Sequence, residues 1–279
     1  MRSLGIDVGV DKGLDLVLLD ERRVPLQVRS GVRPAEVAAI VGDLRPDVVA
    51  VDSPPRWAAS GRSRRTEREL AALNIQSFNT PSAAHGRGNR FFAWMEVGFE
   101  VFRQAEAAGY RTYGGGSARR TAIEVFPHAT ATVLAGALAP KGVGKKPWRE
   151  GVLRAQGVRT DELATIDRID AALAALTGLL VLDGKRFAPG DPTEGVIVLP
   201  ATSLPARPYK RAAVTPAAAT PLFSYCACGD PDCQELVRGT FAKGHDAKRK
   251  AMLWTRAREG TEALEELTRR GWQAPPEMR

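Results

Sequence analysis

The chain opens on short apolar runs separated by polar turns. Residues 3–9, 14–19 and 24–30 predict three strands, joined at Val10-Asp11-Lys12-Gly13 and Asp20-Glu21-Arg22-Arg23 with the spacing of an antiparallel meander. Arg33-Pro34-Ala35 opens a helix through about Leu44, with Pro34 suited to the first turn and Val37, Ile40, Val41 and Leu44 on one face. Val48 to Asp52 is an apolar fourth strand, and the helix before it predicts a crossover that lays it beside the first in a mixed sheet. Thr66 to Leu73 predicts a short helix. Arg90 to Ala108 predicts a longer one, in which Phe91, Trp94, Met95, Phe99 and Phe102 are spaced for burial and carry no ligand role. A strand centred on Ile123, a helix from about Trp148 to Gln156, an Ala/Leu-rich helix from about Glu162 to Asp183 and a short strand at Glu194 to Pro200 follow.

Acids interrupt this pattern in telling places. Asp7 ends the first strand, where a carboxylate is costly to desolvate unless it is paired or binds a cation. Asp52 ends the fourth strand, Glu124 sits inside the strand centred on Ile123, and Asp167 and Asp170 lie one turn apart near the start of the Ala/Leu-rich helix. Four separated acidic elements that converge at one edge of a sheet point to a divalent-metal site, because hard cations prefer oxygen ligands. Arg62, Arg64, Arg65 and Arg68 directly follow Asp52 and are expected to overhang the acids and hold a phosphate. His128, four residues after Glu124, is a further candidate for substrate contact.

Composition narrows the setting. With 279 residues, 44% hydrophobic and 26% charged, the chain is expected to form one globular domain with an appendage. No apolar run approaches the roughly 20 residues of a membrane helix, and the strand pattern begins at once without a signal-like apolar region, so a cytoplasmic protein is expected. The formal charge of +8 favours polyanionic partners. Residues 201–224, rich in Pro and Ala, read as a linker between a domain at 1–200 and a tail at 225–279. In that tail Cys226, Cys228, Cys233 and His245 follow the order C-x-C-x4-C-x11-H, a ligand set for tetrahedral Zn²⁺, before a helix expected from about Asp246 to Gly271.

Taken together, Gly5-Ile6-Asp7-Val8-Gly9, Val51-Asp52-Ser53-Pro54-Pro55, Arg65-Thr66-Glu67-Arg68-Glu69-Leu70, Glu124-Val125-Phe126-Pro127-His128, Asp167 to Ala171, Gly190-Asp191-Pro192 and Glu194 to Pro200 resemble domain-of-unknown-function family 429. The resemblance implies a ribonuclease H-like α/β fold, a mixed five-stranded sheet flanked by helices. It is similar to the arrangement of RuvC-type Holliday-junction resolvases, and implies that Asp7, Asp167 and Asp170 help hold Mg²⁺ or Mn²⁺. Asp52 stands where those resolvases carry glutamate. The implied activity is metal-dependent hydrolysis of nucleic-acid phosphodiester bonds, with Asp7, Asp52, Glu124, Asp167 and Asp170 as catalytic candidates. Two other readings stay open: a nucleic-acid-binding protein with a degenerate site, and an ATP-dependent kinase of the actin-like fold, which needs two such domains. DNA or RNA as partner, and a monomer or a homodimer, are equally compatible with the sequence.

Overall fold

The computed structural model describes residues 1–213, 224–226, 236–237, 245–257, 261–269 and 272. The chain forms two compact units, Met1–Ala213 and Val214–Arg279.

In the first unit, β1 (Arg2–Asp7), β2 (Leu14–Asp20) and β3 (Pro25–Val32) make the antiparallel meander. After α1 (Val37–Leu44), β4 (Val48–Asp52) returns parallel to β1. Next come α2 (Arg65–Ala72), α3 (Ala83–Gly86), α4 (Ala93–Ala107), β5 (Arg111–Thr112) and β6 (Thr121–Glu124). Three more helices follow, α5 (Pro127–Ala135), α6 (Lys145–Ala155) and α7 (Ile166–Leu182). The sheet runs β3-β2-β1-β4-β6-β5, with β4, β6 and β5 parallel to one another. This is the mixed sheet and crossover expected of a ribonuclease H-like α/β chain, with one strand more than expected. The added strand, β5, has two residues, too few to carry an alternating pattern.

Strand alternation sorts side chains to two faces. Leu4, Ile6, Val49 and Val51 pack under Val37, Ile40 and Val41 of α1 and Val101, Phe102 and Ala105 of α4. On the other face α7 buries every residue from Ile169 to Val181, and a helix apolar on all sides belongs at the centre of a domain. Leu173→Ala there is expected to cost about 2–5 kcal/mol. α7 sits directly on β1 because the facing positions are small. A Cβ added to Gly5 would fall 1.9 Å from the Ala171 carbonyl oxygen, and one added to Gly178 would fall 2.1 Å from Ser3 Oγ.

Three sequence expectations change. The run Glu194 to Pro200 is not a full strand: Gly195–Val196 (β8) forms a hairpin with Gly190–Asp191 (β7), and Ile197 then makes a single parallel bridge to Glu124. The expected linker does not begin at residue 201. Tyr209 is buried against Leu70, Ile75 and Leu199, and Leu138 exchanges backbone hydrogen bonds with Lys210 and Ala212, so residues through Ala213 belong to the first unit. The proline content that signals a linker here marks an extended segment laid on a core. The third change falls in the second unit, where the described residues form β9 (Ser224–Tyr225) paired with β10 (Leu236–Val237) and two helices in place of one. Those helices, α8 (His245–Ala257) and α9 (Thr261–Arg269), bury Leu253, Ala257, Ala263 and Leu267 between them. Among the described residues, no helix is long and apolar enough to cross a membrane.

Candidate active site

The register of the sheet sets the acids side by side. Asp7 pairs with Asp52 across the parallel β1/β4 ladder and with Asp15 across the antiparallel β1/β2 ladder. Directly opposed residues share a face, so three aspartates form a row. The same face carries Gly5, against which α7 rests, and one step along the strand the start of α7 meets Asp7. Asp170 is buried there, while Asp167 lies nearer the rim, 3.9 Å from the exposed Lys12 ammonium.

Electrostatics report the crowding. Burial, reinforced by Asp170, Asp167 and Asp15, pushes the Asp7 carboxyl up to about 8. Burial and the charges of Asp7 and Asp170 hold Asp52 well above the usual carboxylate range. Neither shift has a hydrogen bond among its main causes. The main opposing charge is Arg149 of α6, whose Nη1 is hydrogen bonded to Asp170 Oδ2. Burial still raises Asp170, with Arg149 pulling the other way. The pair is incomplete, since Asp170 Oδ1 and Arg149 Nε are buried without a partner. Among the described residues, no three His, Cys, Asp or Glu side chains are gathered tightly enough to hold a metal ion as they stand.

Glu124 and Arg64 do something else. Arg64 is 1% exposed and donates to both Glu124 oxygens at 2.7 and 2.5 Å and, through Nε, to Glu67 at 3.0 Å. Glu67 also accepts the Arg64 and Thr80 backbone N–H groups. Burial opposes the Arg64 charge, yet Glu124 and Glu67 keep the guanidinium protonated. Arg64 thus lines the cleft as expected of its position, with its donors taken by two carboxylates in this structure. Glu124, raised by burial and drawn back by Arg64, is likewise committed to that pair.

The other expected substrate contacts separate. Arg65 and Arg68 are exposed on α2, paired with Glu69 at 2.6 Å and bonded to the Ser63 carbonyl at 2.6 Å respectively. Arg62 is exposed and lines a second cleft with His85 and Phe91. His128 stands between the rings of Phe126 and Trp148, at 5.8 and 5.6 Å. Burial first, then Arg149, Lys145 and Arg211, lowers it to about 4, which favours the neutral imidazole near pH 7.

Three residues escaped sequence reasoning. Asp15 follows a glycine turn with no motif around it, and Arg149 and Lys145 belong to a segment that reads only as basic. The helix begins at Lys145, earlier than expected, and so sets Lys145 and Arg149 one turn apart on the wall of a cleft of about 410 Å³ whose lining includes Asp52 and Asp170. An i, i+4 pair of cations at a helix start would have been the signal.

The aromatic expectation also changes. Met95 and Phe102 are buried, but Phe91 is 59% exposed. Asn89 caps a short 3₁₀ turn, Arg90–Phe92, by accepting the Phe91 N–H at 3.0 Å, so Phe91 precedes α4 and escapes its periodicity. In the second unit Cys226 Sγ lies 3.5 Å from His245 Nδ1. Cys228 and Cys233 lie outside the described residues.

Among solved structures the chain is similar to Thermus thermophilus RuvC at 17% identity and a TM-score of 0.38, over 66% of this chain and 97% of that one. It is similar to the same extent to T. thermophilus RuvC in complex with a Holliday junction substrate, over 66% of this chain and 96% of that one. No curated protein matches the chain. The family described as protein of unknown function (DUF429) matches residues 5–194, a span that takes in Gly5 and every acid of the row and its covering helix, and the chain belongs to that family.

Proposed function

We propose that the protein is a metal-dependent nuclease that hydrolyses nucleic-acid phosphodiester bonds. The observation that carries this reading is the register pairing of Asp7 with Asp52 beneath Asp170, which crowds buried carboxyl groups so closely that burial and mutual repulsion disfavour their ionised forms despite Arg149. Holding like charges together costs stability, and such a cost marks functional sites. The donor set fits a hard divalent cation: it consists of carboxylate oxygens, and one buried oxygen, Asp170 Oδ1, has no other partner. Asp7, Asp52 and Asp170, with Asp167 at the rim, would hold Mg²⁺ or Mn²⁺, which when bound supplies an activated water and stabilises the leaving oxygen. Arg149 has to yield part of its hold on Asp170 for that set to close. Freed, its guanidinium and the Lys145 ammonium offer donors to a substrate phosphate.

The test is cleavage by the purified full chain of single-stranded, duplex and branched DNA and RNA, with Mg²⁺ and with Mn²⁺. Cleavage that requires the metal supports the reading. Tight binding with no cleavage of any substrate replaces it with a nucleic-acid-binding protein. The kinase alternative needs a second domain of the same kind, and among the described residues only the first unit contains the large sheet.

For the second unit we propose Zn²⁺ held by Cys226, Cys228, Cys233 and His245. The support is the approach of Cys226 to His245 across 18 intervening residues. Elemental analysis of protein purified without chelator should find about one zinc per chain. A zinc-free, folded second unit would overturn it.

A further inference from the structure

The aromatic residues that do not reach the core gather beside the acidic cleft. Phe78 and Phe91 are 62% and 59% exposed, with ring centroids 5.9 Å apart in an edge-to-face contact. Phe78 stands 5.9 Å from Trp94, and Phe91 leads inward through Phe92 at 4.9 Å to Trp57 at a further 6.4 Å. The inner rings therefore anchor two outer rings that remain in water. Single exposed aromatics need no explanation, but two in contact at the rim of a cleft do.

Two clefts meet at these rings. The first, about 410 Å³, has Phe78, Phe91 and Trp94 in its lining together with Asp52, Asp170, Lys145 and Arg149. The second, about 520 Å³, is lined by the same two phenylalanines and by Arg62, His85 and Asn89. Arg62 and Lys145 are exposed and have no ion-pair partner among the described residues. The rings thus share one cleft with Lys145 and the other with Arg62. An apolar ligand has no use for those cations, and a simple anion has no use for the rings. A nucleotide strand matches both, with a flat base between two phosphates. A duplex keeps its bases stacked on one another, whereas an unpaired strand offers free π-faces.

We propose that Phe78 and Phe91 are a stacking platform for an unpaired nucleobase, with Arg62 and Lys145 taking the flanking phosphates. The ligand of this face is then a single-stranded or locally unpaired stretch of nucleic acid. The inference rests on the nuclease reading for its choice of nucleic acid. Its test uses binding alone.

The full chain in EDTA is titrated into DNA and RNA oligonucleotides carrying the fluorescent base 2-aminopurine, single-stranded and as blunt duplexes. The single strands should bind more tightly, with quenching of the base on stacking. Phe78→Ala and Phe91→Ala should each weaken that binding roughly 5- to 100-fold and relieve the quenching, while the slope of log affinity against log salt stays unchanged. Phe78→Tyr should retain both, which separates lost stacking from lost folding. Arg62→Ala and Lys145→Ala should instead reduce the salt slope by about one each. Equal binding by folded Phe78→Ala and the parent, tighter binding of duplex, or no binding by the parent would each overturn the proposal. The two readings fail separately. Quenching that depends on Phe78, with no cleavage under any metal, ends the nuclease reading and keeps this one. Cleavage of single strands by Phe78→Ala and Phe91→Ala at the parent rate does the reverse.

Discussion

Two buried charge clusters lie on neighbouring strands of one sheet, and they are built to opposite rules. Around Arg64, the guanidinium meets two carboxylates with good geometry, and a backbone N–H from Thr80 completes Glu67. Around Arg149, a single guanidinium faces Asp170 with Asp7 and Asp52 behind it, and one atom on each side of the ion pair has no partner, while Asp15 at the end of the row is taken up by Arg168 and Ser30. The first cluster is satisfied by the protein itself, and such a network fixes a structure. The second is short of positive charge and of donors, and that shortage is what a bound cation would relieve.

The largest expected effect breaks the second cluster. Asp7→Asn keeps the shape and removes charge from the centre of the row, so metal-dependent cleavage should fall by at least about 10³-fold, some 4 kcal/mol of barrier. Its melting temperature in EDTA should match the parent's near neutral pH, where the Asp7 carboxyl is largely protonated, and exceed it above about pH 8, where the substitution removes a buried charge. Single-turnover cleavage and thermal unfolding check both halves, and an Asp7→Asn protein that cleaves at the parent rate ends the nuclease reading.

Removing the arginines should sharpen the contrast. Arg64→Ala strands Glu67 and Glu124 in the interior and should cost about 3–5 kcal/mol of stability, with no recovery in Mg²⁺. Arg149→Ala strands Asp170 and should also destabilise in EDTA, but Mg²⁺ should restore most of the loss. Urea unfolding of both variants with and without Mg²⁺ decides this. If the cation rescues both or neither, the two clusters are of one kind.

The pH dependence is a smaller effect with a defined sign. Asp7 binds its proton more tightly in the native state than its ordinary 3.8, up to about 8, so its protonated form stabilises the fold and that contribution is lost as pH rises through about 8. His128, lowered from 6.5 to about 4, acts oppositely: its contribution is present above 6.5 and is lost as pH falls towards 4. Between pH 6.5 and 8 the acids act without that opposition. The melting temperature of metal-free protein should fall across this window, and Mg²⁺ should flatten the slope by taking the proton's place. A flat profile without metal would mean that neither burial nor the neighbouring acids raise Asp7.

The smallest effect belongs to the exposed rim. Arg65→Ala removes a solvated ion pair with Glu69 and should leave the unfolding midpoint unchanged within error. Its salt slope for nucleic-acid binding should fall by about one if the guanidinium reaches a phosphate. An unchanged slope makes it an ordinary surface residue.

While β5, α3 and α5 emerged only in the fold, the sequence by itself determined the order of β1 to β4 and β6 and of α1, α2, α4, α6 and α7, the crossover that sets β1 beside β4, and the acids at the ends of those strands. Those features are local: they follow from alternation, helical spacing and turn residues, which act within a few neighbours along the chain. The small residues of α7 were legible as an Ala/Leu-rich helix, but that Gly5 receives it was shown only by the packing. Which charges pair was decided by tertiary structure alone. Arg62, Arg64, Arg65 and Arg68 look alike in a run of basic residues. Only the path of the chain into α2 buries Arg64 against Glu124, 60 positions away, while its neighbours stay in water. Asp15 joined the row through the β1/β2 register, and Arg149 reached it through the packing of α6 on α7. Phe91 left the core because a capped 3₁₀ turn interrupted the helical count. A residue's type and period tell it whether to seek burial. The partner it finds there is set by residues far along the chain, at a distance in sequence over which composition and spacing carry no signal.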